Sequence, residues 1–398
     1  MGAQRALLVT GARQIGKTYS IRRFLGKKAE SSAEINFLLN RDAAAIFTEA
    51  NNAEEVLFRL STIAGTRLIP GKTIIFLDEI QESPEALTMI KALVDEGSYR
   101  YILSGSLLGV TVRSNVDLVH MYPLSFFEFC QANNLGSDIL DHLRTRLAAE
   151  TNVDTYIHRR LMELYHTYLV VGGMPQAVAS YVEDNNLAYV RDAQAAVIQW
   201  YRADIANVEA LKALDLIPSE LSNPNKRFVL KNLNEKARLR SFEDALLWLN
   251  ASNVDAPTRP LMAAKKRTLF KLFYCDVGLL TSQYGTAVAT ELLTKSQTTD
   301  TNFGAVYENA VAQELYARGF TPYYYNSKKR GEIDFVVETK RGTVLPIEVK
   351  SGKNYKRHRA LDKFHLEQAI VLGETNVERV GAVLNLPVYM AGLIDPEA

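Results

Sequence analysis

The sequence predicts an α/β chain that opens on a parallel sheet, and three observations carry that expectation. The apolar run Ala6-Leu7-Leu8-Val9 empties into Gly11-Ala12-Arg13-Gln14-Ile15-Gly16-Lys17-Thr18, a G-x-x-x-x-G-K-[ST] loop placed between a strand and a helix. A second run, Ile74-Ile75-Phe76-Leu77, is apolar without alternation, as in a strand buried on both faces, and it ends in Asp78-Glu79. Apolar strands fall at 6–10, 35–39, 73–77, 100–104 and 118–122 with helical stretches between them, which is the alternation of a doubly wound sheet over residues 1–130.

The first strand and its loop have a definite chemistry. A strand that turns into a helix at Gly16-Lys17-Thr18 aims several backbone N–H groups at one point, where the helix N-terminus favours negative charge. The phosphates of ATP fit there. Gly11, Ala12, Gln14, Ile15, Gly16 and Tyr19 line the loop, Lys17 reaches the terminal phosphates, and the Thr18 hydroxyl holds Mg²⁺. Ligands of an open α/β sheet bind at the carboxyl ends of its strands, so Asp78 is expected to order the Mg²⁺ shell and Glu79 to orient the attacking water. The run 99–103 leads into Ser104-Gly105-Ser106, where Ser104 either senses the γ-phosphate or belongs to a plain turn. Arg13 and Arg113 are either charge neutralisers in the transition state or solvated arginines.

At 398 residues the chain exceeds what one hydrophobic core supports, and two or three domains are expected. Charged residues make up 23% and apolar ones 47%, an ordinary globular composition. The net charge of +1 gives no global attraction to nucleic acid or membrane, so any such surface is local. Cys130 and Cys275 lie in apolar surroundings and read as buried thiols of a reduced compartment. No apolar run approaches the roughly 18 residues of a membrane span. No signal peptide precedes the first strand, so a cytoplasmic protein without membrane partners is expected.

Residues 131–215 show long helical periodicity, interrupted by Gly172-Gly173-Met174-Pro175, where one helix stops and another starts with proline in its first turn. From 216 to 285 the pattern changes. Ile217-Pro218-Ser219 opens a short helix, a basic stretch follows with Lys226, Arg227, Lys231, Lys236, Arg238 and Arg240, and Ser241 caps an apolar-striped helix through Leu249. This region reads either as a winged-helix module on DNA phosphates or as a connector with a solvated basic face.

Residues 286–398 hold a second constellation. Phe303 to Arg318 is a helix stopped by Gly319, with Tyr307, Val311, Ala312 and Leu315 at the centre of its apolar face and Glu308 within that face. Asn309 and Gln313 fall on the opposite side, and Glu314, at the margin, reads as solvated. Two strands follow, Glu332-Ile333-Asp334-Phe335-Val336-Val337 and Val344-Leu345-Pro346-Ile347-Glu348-Val349-Lys350. If Gly342 takes the left-handed position of a three-residue turn, residue 339 pairs with 343 and Asp334 lies across from Glu348. Asp334 and Glu348 then suit a metal ion, Lys350 a water or phosphodiester, and Glu308 enters from the helix. Lysine and arginine clusters at 328–330 and 353–359 suit a nucleic-acid backbone. The alternative is a cross-strand ion pair on a surface hairpin.

These motifs resemble those of prokaryotic AAA-superfamily ATPases whose C-terminal domain, of unknown function, is similar to the PD-(D/E)xK restriction-endonuclease fold. The resemblance spans nearly the whole chain, through the loop at 11–18, Phe-Leu-Asp-Glu-Ile-Gln at 76–81, Ser-Gly-Ser-Leu-Leu-Gly at 104–109, Tyr-Pro-Leu-Ser-Phe-Phe-Glu-Phe at 122–129, Gly-Gly-Met-Pro at 172–175, Asp-Val-Gly-Leu-Leu at 276–280, Glu-Ile-Asp-Phe at 332–335 and Pro-Ile-Glu-Val-Lys-Ser-Gly at 346–352. It implies a P-loop α/β domain, a helical lid, a winged-helix-like middle and a restriction-endonuclease-like α/β end. By position it implies Lys17, Thr18, Asp78 and Glu79 at an ATP site and Glu308, Asp334, Glu348 and Lys350 at a nuclease-like site. The function expected is an ATP-dependent enzyme acting on DNA; its rival is a nucleotide-controlled interaction protein with an inactive nuclease-like fold.

Overall fold

The structure, a computed structural model, describes residues 5–106, 115–205, 208–223, 226–229, 232, 255–260, 270–295, 303–327, 329, 331–352, 361 and 367–397. Its contacts separate two compact units, one reaching Tyr122 and one taking up the chain from Pro123.

The first unit carries a parallel sheet of β1 (Ala6–Thr10), β2 (Ser31–Asn36), β3 (Thr73–Asp78), β4 (Arg100–Gly105) and β5 (Val116–His120), in the order β2-β3-β4-β1-β5. Helices α1 (Lys17–Lys28), α2 (Ala45–Thr48), α3 (Ala53–Ile63) and α4 (Pro84–Glu96) connect the strands. Alternate residues of β3 feed two cores. Ile75 and Leu77 join Leu8, Leu103 and residues of α2 to α4, while Ile74 and Phe76 join Ile102 and Ile21 and Leu25 of α1. A strand buried on both faces cannot alternate with polar residues, which is why its apolar run is unbroken.

Two strands sit differently from the sequence expectation. The second is 31–36, not 35–39, because the Asn36 side chain accepts from the N–H groups of Leu38 and Leu39 and turns the chain out of the sheet, leaving Leu39 81% exposed. The fifth is 116–120, not 118–122. It is an edge strand anchored by buried Val116, so its exposed Leu118 and Val119 misled the apolar count.

The second unit begins with helices α5 (Phe126–Ala132), α6 (Asp138–Ala148), α7 (Thr155–Val171), α8 (Pro175–Asp184), α9 (Leu187–Asp204) and α10 (Val208–Ser222). Pro218 does not open a short helix; it lies inside α10. A proline there removes the donor for the carbonyl four residues back. The Tyr274 hydroxyl supplies it, donating to Leu214 O at 3.3 Å. The rest of the basic stretch beyond Arg227, including Lys231, Lys236, Arg238 and Arg240, and the helix expected at 241–249 lie outside the described residues, as do Arg113, Lys328, Arg330 and the 353–359 cluster.

A mixed sheet then combines β6 (Asp255–Pro260), β7 (Lys271–Tyr274), β8 (Tyr323–Ser327), β9 (Gly331–Glu338), β10 (Val344–Val349), β11 (Ala369–Gly373), β12 (Glu378–Val380) and β13 (Val383–Pro387), in the order β12-β13-β11-β10-β9-β8-β6-β7. Helices α11 (Val277–Gln283), α12 (Thr286–Thr294) and α13 (Phe303–Ala317) belong to this unit. Helix α13 is buried at every residue from Ala305 to Leu315, so it has no solvated side. Glu314, expected in solvent, accepts from Phe126 N at 2.8 Å; Asn309 bonds both backbone groups of Tyr274; Gln313 bonds Val277 N and the Tyr168 hydroxyl. These polar residues satisfy the backbone of neighbouring elements, which is what allows them to be buried. Cys130 is buried, with its thiol pushed up to about 12 by burial and by the charge of Glu314, whereas Cys275 is only half-buried.

The glycine motifs meet in the same unit. A Cβ on Gly172, whose φ is +77°, would stand 2.2 Å from the Asp276 carboxylate, and one on Gly278 would stand 2.4 Å from Val171 O. Asp276 caps α11 through Leu279 N and also accepts from Gly173 N at 2.5 Å, so both motifs describe one close backbone crossing.

Candidate functional site

Strand β1 lies between β4 and β5, and its carboxyl end is the point where the strand order reverses. The loop that leaves it bends through Gly11 at φ +142°, Gln14 at +61° and Gly16 at +87°. A Cβ at Gly11 would come 2.2 Å from Met121 O, so only glycine fits. Among the described residues helix α1 has no side-chain cap, and it carries no acid in its first turn, an arrangement that suits an anion at its N-terminus. Ala12 and Ile15 turn their side chains into the core and can offer only backbone; Tyr19 is 67% exposed on α1.

Lys17 is buried and donates to Gly11 O at 2.9 Å and Ala12 O at 2.8 Å, resting on the loop it would serve. Burial lowers its pKa to about 8, against the opposing pull of the Glu79 and Asp78 charges. Asp78, at the end of β3, is the hub. It accepts from the Thr18 hydroxyl at 3.1 Å on each oxygen, from Asn36 Nδ2 at 2.8 Å, and from the Ser104 hydroxyl. Ser104 is therefore a strand residue held on Asp78 and not part of a plain turn. Glu79 is half-buried with φ +56°, an uncommon left-handed position for glutamate, and its carboxylate accepts from Gln81 Nε2 at 2.5 Å.

Thr18 and Asp78 side by side beneath an uncapped helix end suit a Mg²⁺ ion, which takes one or two protein ligands and completes its shell with phosphate and water. Three neighbours escaped the sequence reading. Asn36 carries no motif of its own, Gln81 closes the Phe-Leu-Asp-Glu-Ile-Gln run at 76–81 but was given no role, and His120 lies across from Thr10 in the β1–β5 pairing. Burial, and secondarily the charge of Lys17, lowers the His120 pKa to about 4, and its ring leans on Tyr122 at 4.4 Å.

The second constellation also assembles. The β9–β10 ladder pairs Ile347 with Phe335, Gly342 has φ +81°, and Thr339 N donates to Thr343 O; one more step of this register sets Asp334 opposite Glu348. Opposed residues of an antiparallel pair share a face. Val349 N donates to Asp334 at 2.9 Å, Lys350 pairs with Glu348 at 2.7 Å, and the charge of Glu308 acts on Asp334 from α13. What the sequence did not announce is the cations. Lys226 pairs with Glu308, and fully buried Lys271 reaches Glu308 at 3.5 Å and Glu332 at 2.7 Å.

Burial acts to raise Glu308, but Lys226 and Lys271 outweigh it and hold its carboxylate below the usual range. Burial and the Glu308 charge push Asp334 up to about 7. The pair thus divides into an ionised Glu308 and a readily protonated Asp334. Among the described residues no three of His, Cys, Asp and Glu form a group that would hold a metal ion.

With this geometry in place, the comparisons decide the first unit. Residues 3–130 match the family model described as an AAA domain. The first unit is an AAA-type P-loop domain. Residues 162–289 and 303–389 match two families described only as domains of unknown function, DUF8612 and DUF4143. No curated protein matches. Among solved structures, the chain is similar to the Aeropyrum pernix ORC2 protein at 13% identity over 75% of this chain and 90% of that one, with a TM-score of 0.26. It is similar to the Thermotoga maritima RuvB branch migration motor at 12% identity over 64% and 83%, with a TM-score of 0.28. A STAND signal-transduction ATPase from Pyrococcus horikoshii aligns at 13% identity over 80% and 47%, with a TM-score of 0.24. Among the described residues no helix is long and apolar enough to cross a membrane.

Proposed function

We propose that the AAA-type domain binds and hydrolyses ATP with Mg²⁺, and that its nucleotide state controls a nuclease-like site on the second unit that acts on DNA. The observation that carries the first half is the Thr18–Asp78 contact beside Lys17 and the uncapped helix end. In this reading Lys17 leaves the loop carbonyls for the β- and γ-phosphates, and backbone N–H groups from Arg13 to Thr18 cradle them. Thr18 and Asp78 would hold Mg²⁺, which when bound would supply positive charge against the developing phosphate charge. Glu79 orients a water for attack on the γ-phosphorus and takes its proton, and ADP leaves.

Lys17→Ala is expected to abolish ATP binding in calorimetry, whereas Glu79→Gln is expected to bind ATP with parental affinity and hydrolyse it at least about a hundredfold more slowly. Unchanged affinity in Lys17→Ala would overturn the assignment.

For the second unit, Asp334 and Glu348 would hold the metal, Lys350 would orient the water or the scissile phosphate, and Glu308 would act from α13. The lysines on Glu308 favour the second reading, an inactive nuclease-like fold used for binding, because Lys226 and Lys271 already neutralise the buried carboxylate. Incubating DNA with the full chain and Mn²⁺ or Mg²⁺ separates the two. Cleavage that Asp334→Ala removes supports the catalytic reading, and its absence supports the binding one.

A further inference from the structure

We propose that Gln81 is a positioning residue for Glu79, bridging the hydrolytic carboxylate to the end of β4. This rests on the reading of Glu79 as the residue that orients the attacking water. Gln81 uses both ends of its amide: Nε2 donates to Glu79 Oε2 at 2.5 Å, and Oε1 accepts from Ser106 N at 3.2 Å. The bond to a backbone amide settles which end of Gln81 is nitrogen, so the donor necessarily faces Glu79.

Two further features fit a built bridge. A Cβ at Gly105 would stand 2.4 Å from Gln81 Oε1 and 3.2 Å from Ile80 Cγ2, so the strand end is bare where the amide crosses it. Glu79 itself sits at φ +56° and ψ +47°, a left-handed conformation that is unfavourable for a residue with a Cβ and persists only where surrounding contacts impose it. The turn Ile80–Glu82 that follows brings Gln81 back beside Glu79. One oxygen of Glu79 is thereby tied.

The same strand end holds the other acid, since Ser104 bonds Asp78. Residues 104–106 therefore fix Asp78 through a hydroxyl and Glu79 through the Gln81 amide. A base held this way is oriented before substrate arrives, and misplacing such a group by about an ångström lowers the rate of the chemical step by up to about a hundredfold without weakening binding.

The test uses the full chain with Mg²⁺ and ATP and three substitutions. Gln81→Met keeps the length and loses both hydrogen bonds. Gln81→Glu keeps the acceptor for Ser106 N and loses the donor to Glu79. Gly105→Ala leaves Gln81 in place and obstructs it. Each is expected to lower kcat about tenfold or more while ATP affinity by calorimetry stays within about twofold. Hydrogen exchange at the Ser106 amide, which does not depend on turnover, is expected to quicken in Gln81→Met and Gly105→Ala and to stay slow in Gln81→Glu. Parental or raised kcat in Gln81→Met, with Glu79→Gln inactive, would overturn the positioning role and leave the Glu79 reading standing. Parental hydrolysis by Glu79→Gln would remove the reading on which it rests.

Discussion

Single residues in this chain do more than their sequence neighbours suggest, and Glu314 shows how. Its side chain is almost fully enclosed, yet it accepts from Phe126 N, the first N–H of α5. Burial raises its pKa from 4.5 to about 7, with the bond from Phe126 opposing the rise. A carboxyl raised on folding binds its proton more tightly in the folded state. Its contribution is therefore fully present below the ordinary value and is lost as pH climbs through about 7. Glu314→Gln keeps the acceptor and removes the ionisation, so its stability relative to the parent should improve between pH 5 and 8 by on the order of 3 kcal/mol. Thermal melts across that range check this; a constant offset between the two proteins would refute it.

Among the elements, α10 shows a local rule broken and repaired. Pro218 would ordinarily end a helix, but α10 continues to Ser222 because Tyr274 from β7 donates to the Leu214 carbonyl that proline leaves without a partner. Tyr284 and Ser222 both donate to Pro218 O, holding the following turn. Tyr274→Phe is expected to cost about 1 kcal/mol, the usual worth of a buried hydrogen bond. In a Pro218→Ala background the restored N–H takes the carbonyl and the same substitution should cost close to nothing. A denaturation double-mutant cycle measures the difference, and equal costs in both backgrounds would place the Tyr274 hydroxyl elsewhere in the energetics.

At the scale of the whole molecule, the two proposed sites stand on two units with separate cores. The proposed nucleotide site is drawn from β1, β3, β4 and α1, and the proposed nuclease-like site from β9, β10 and α13. Since no residue is common to both, Asp334→Ala should leave ATP hydrolysis within about twofold of the parent, and Lys17→Ala should leave the second unit folded by thermal melting. If nucleotide controls the second unit, Lys17→Ala should also remove any effect of ATP on DNA cleavage or binding; a response that survives in that variant would separate the units functionally.

The placement of the loop at 11–18 and of the acids at 78–79 was legible in sequence because it is written in consecutive residues and needs only a strand on one side. The Asp334–Glu348 register was legible for a similar reason, as Gly342 sets a turn and the turn sets the pairing. Tertiary structure alone decided the rest. The period of a helix shows which residues share a face but not how many faces are covered, so Glu314, Asn309 and Gln313 looked peripheral on a helix that is enclosed all round. Asn36 on Asp78, Gln81 on Ser106, and Lys226 and Lys271 on Glu308 join residues 25 to 82 positions apart. Such contacts follow from the packing of whole elements, and no local spacing encodes them.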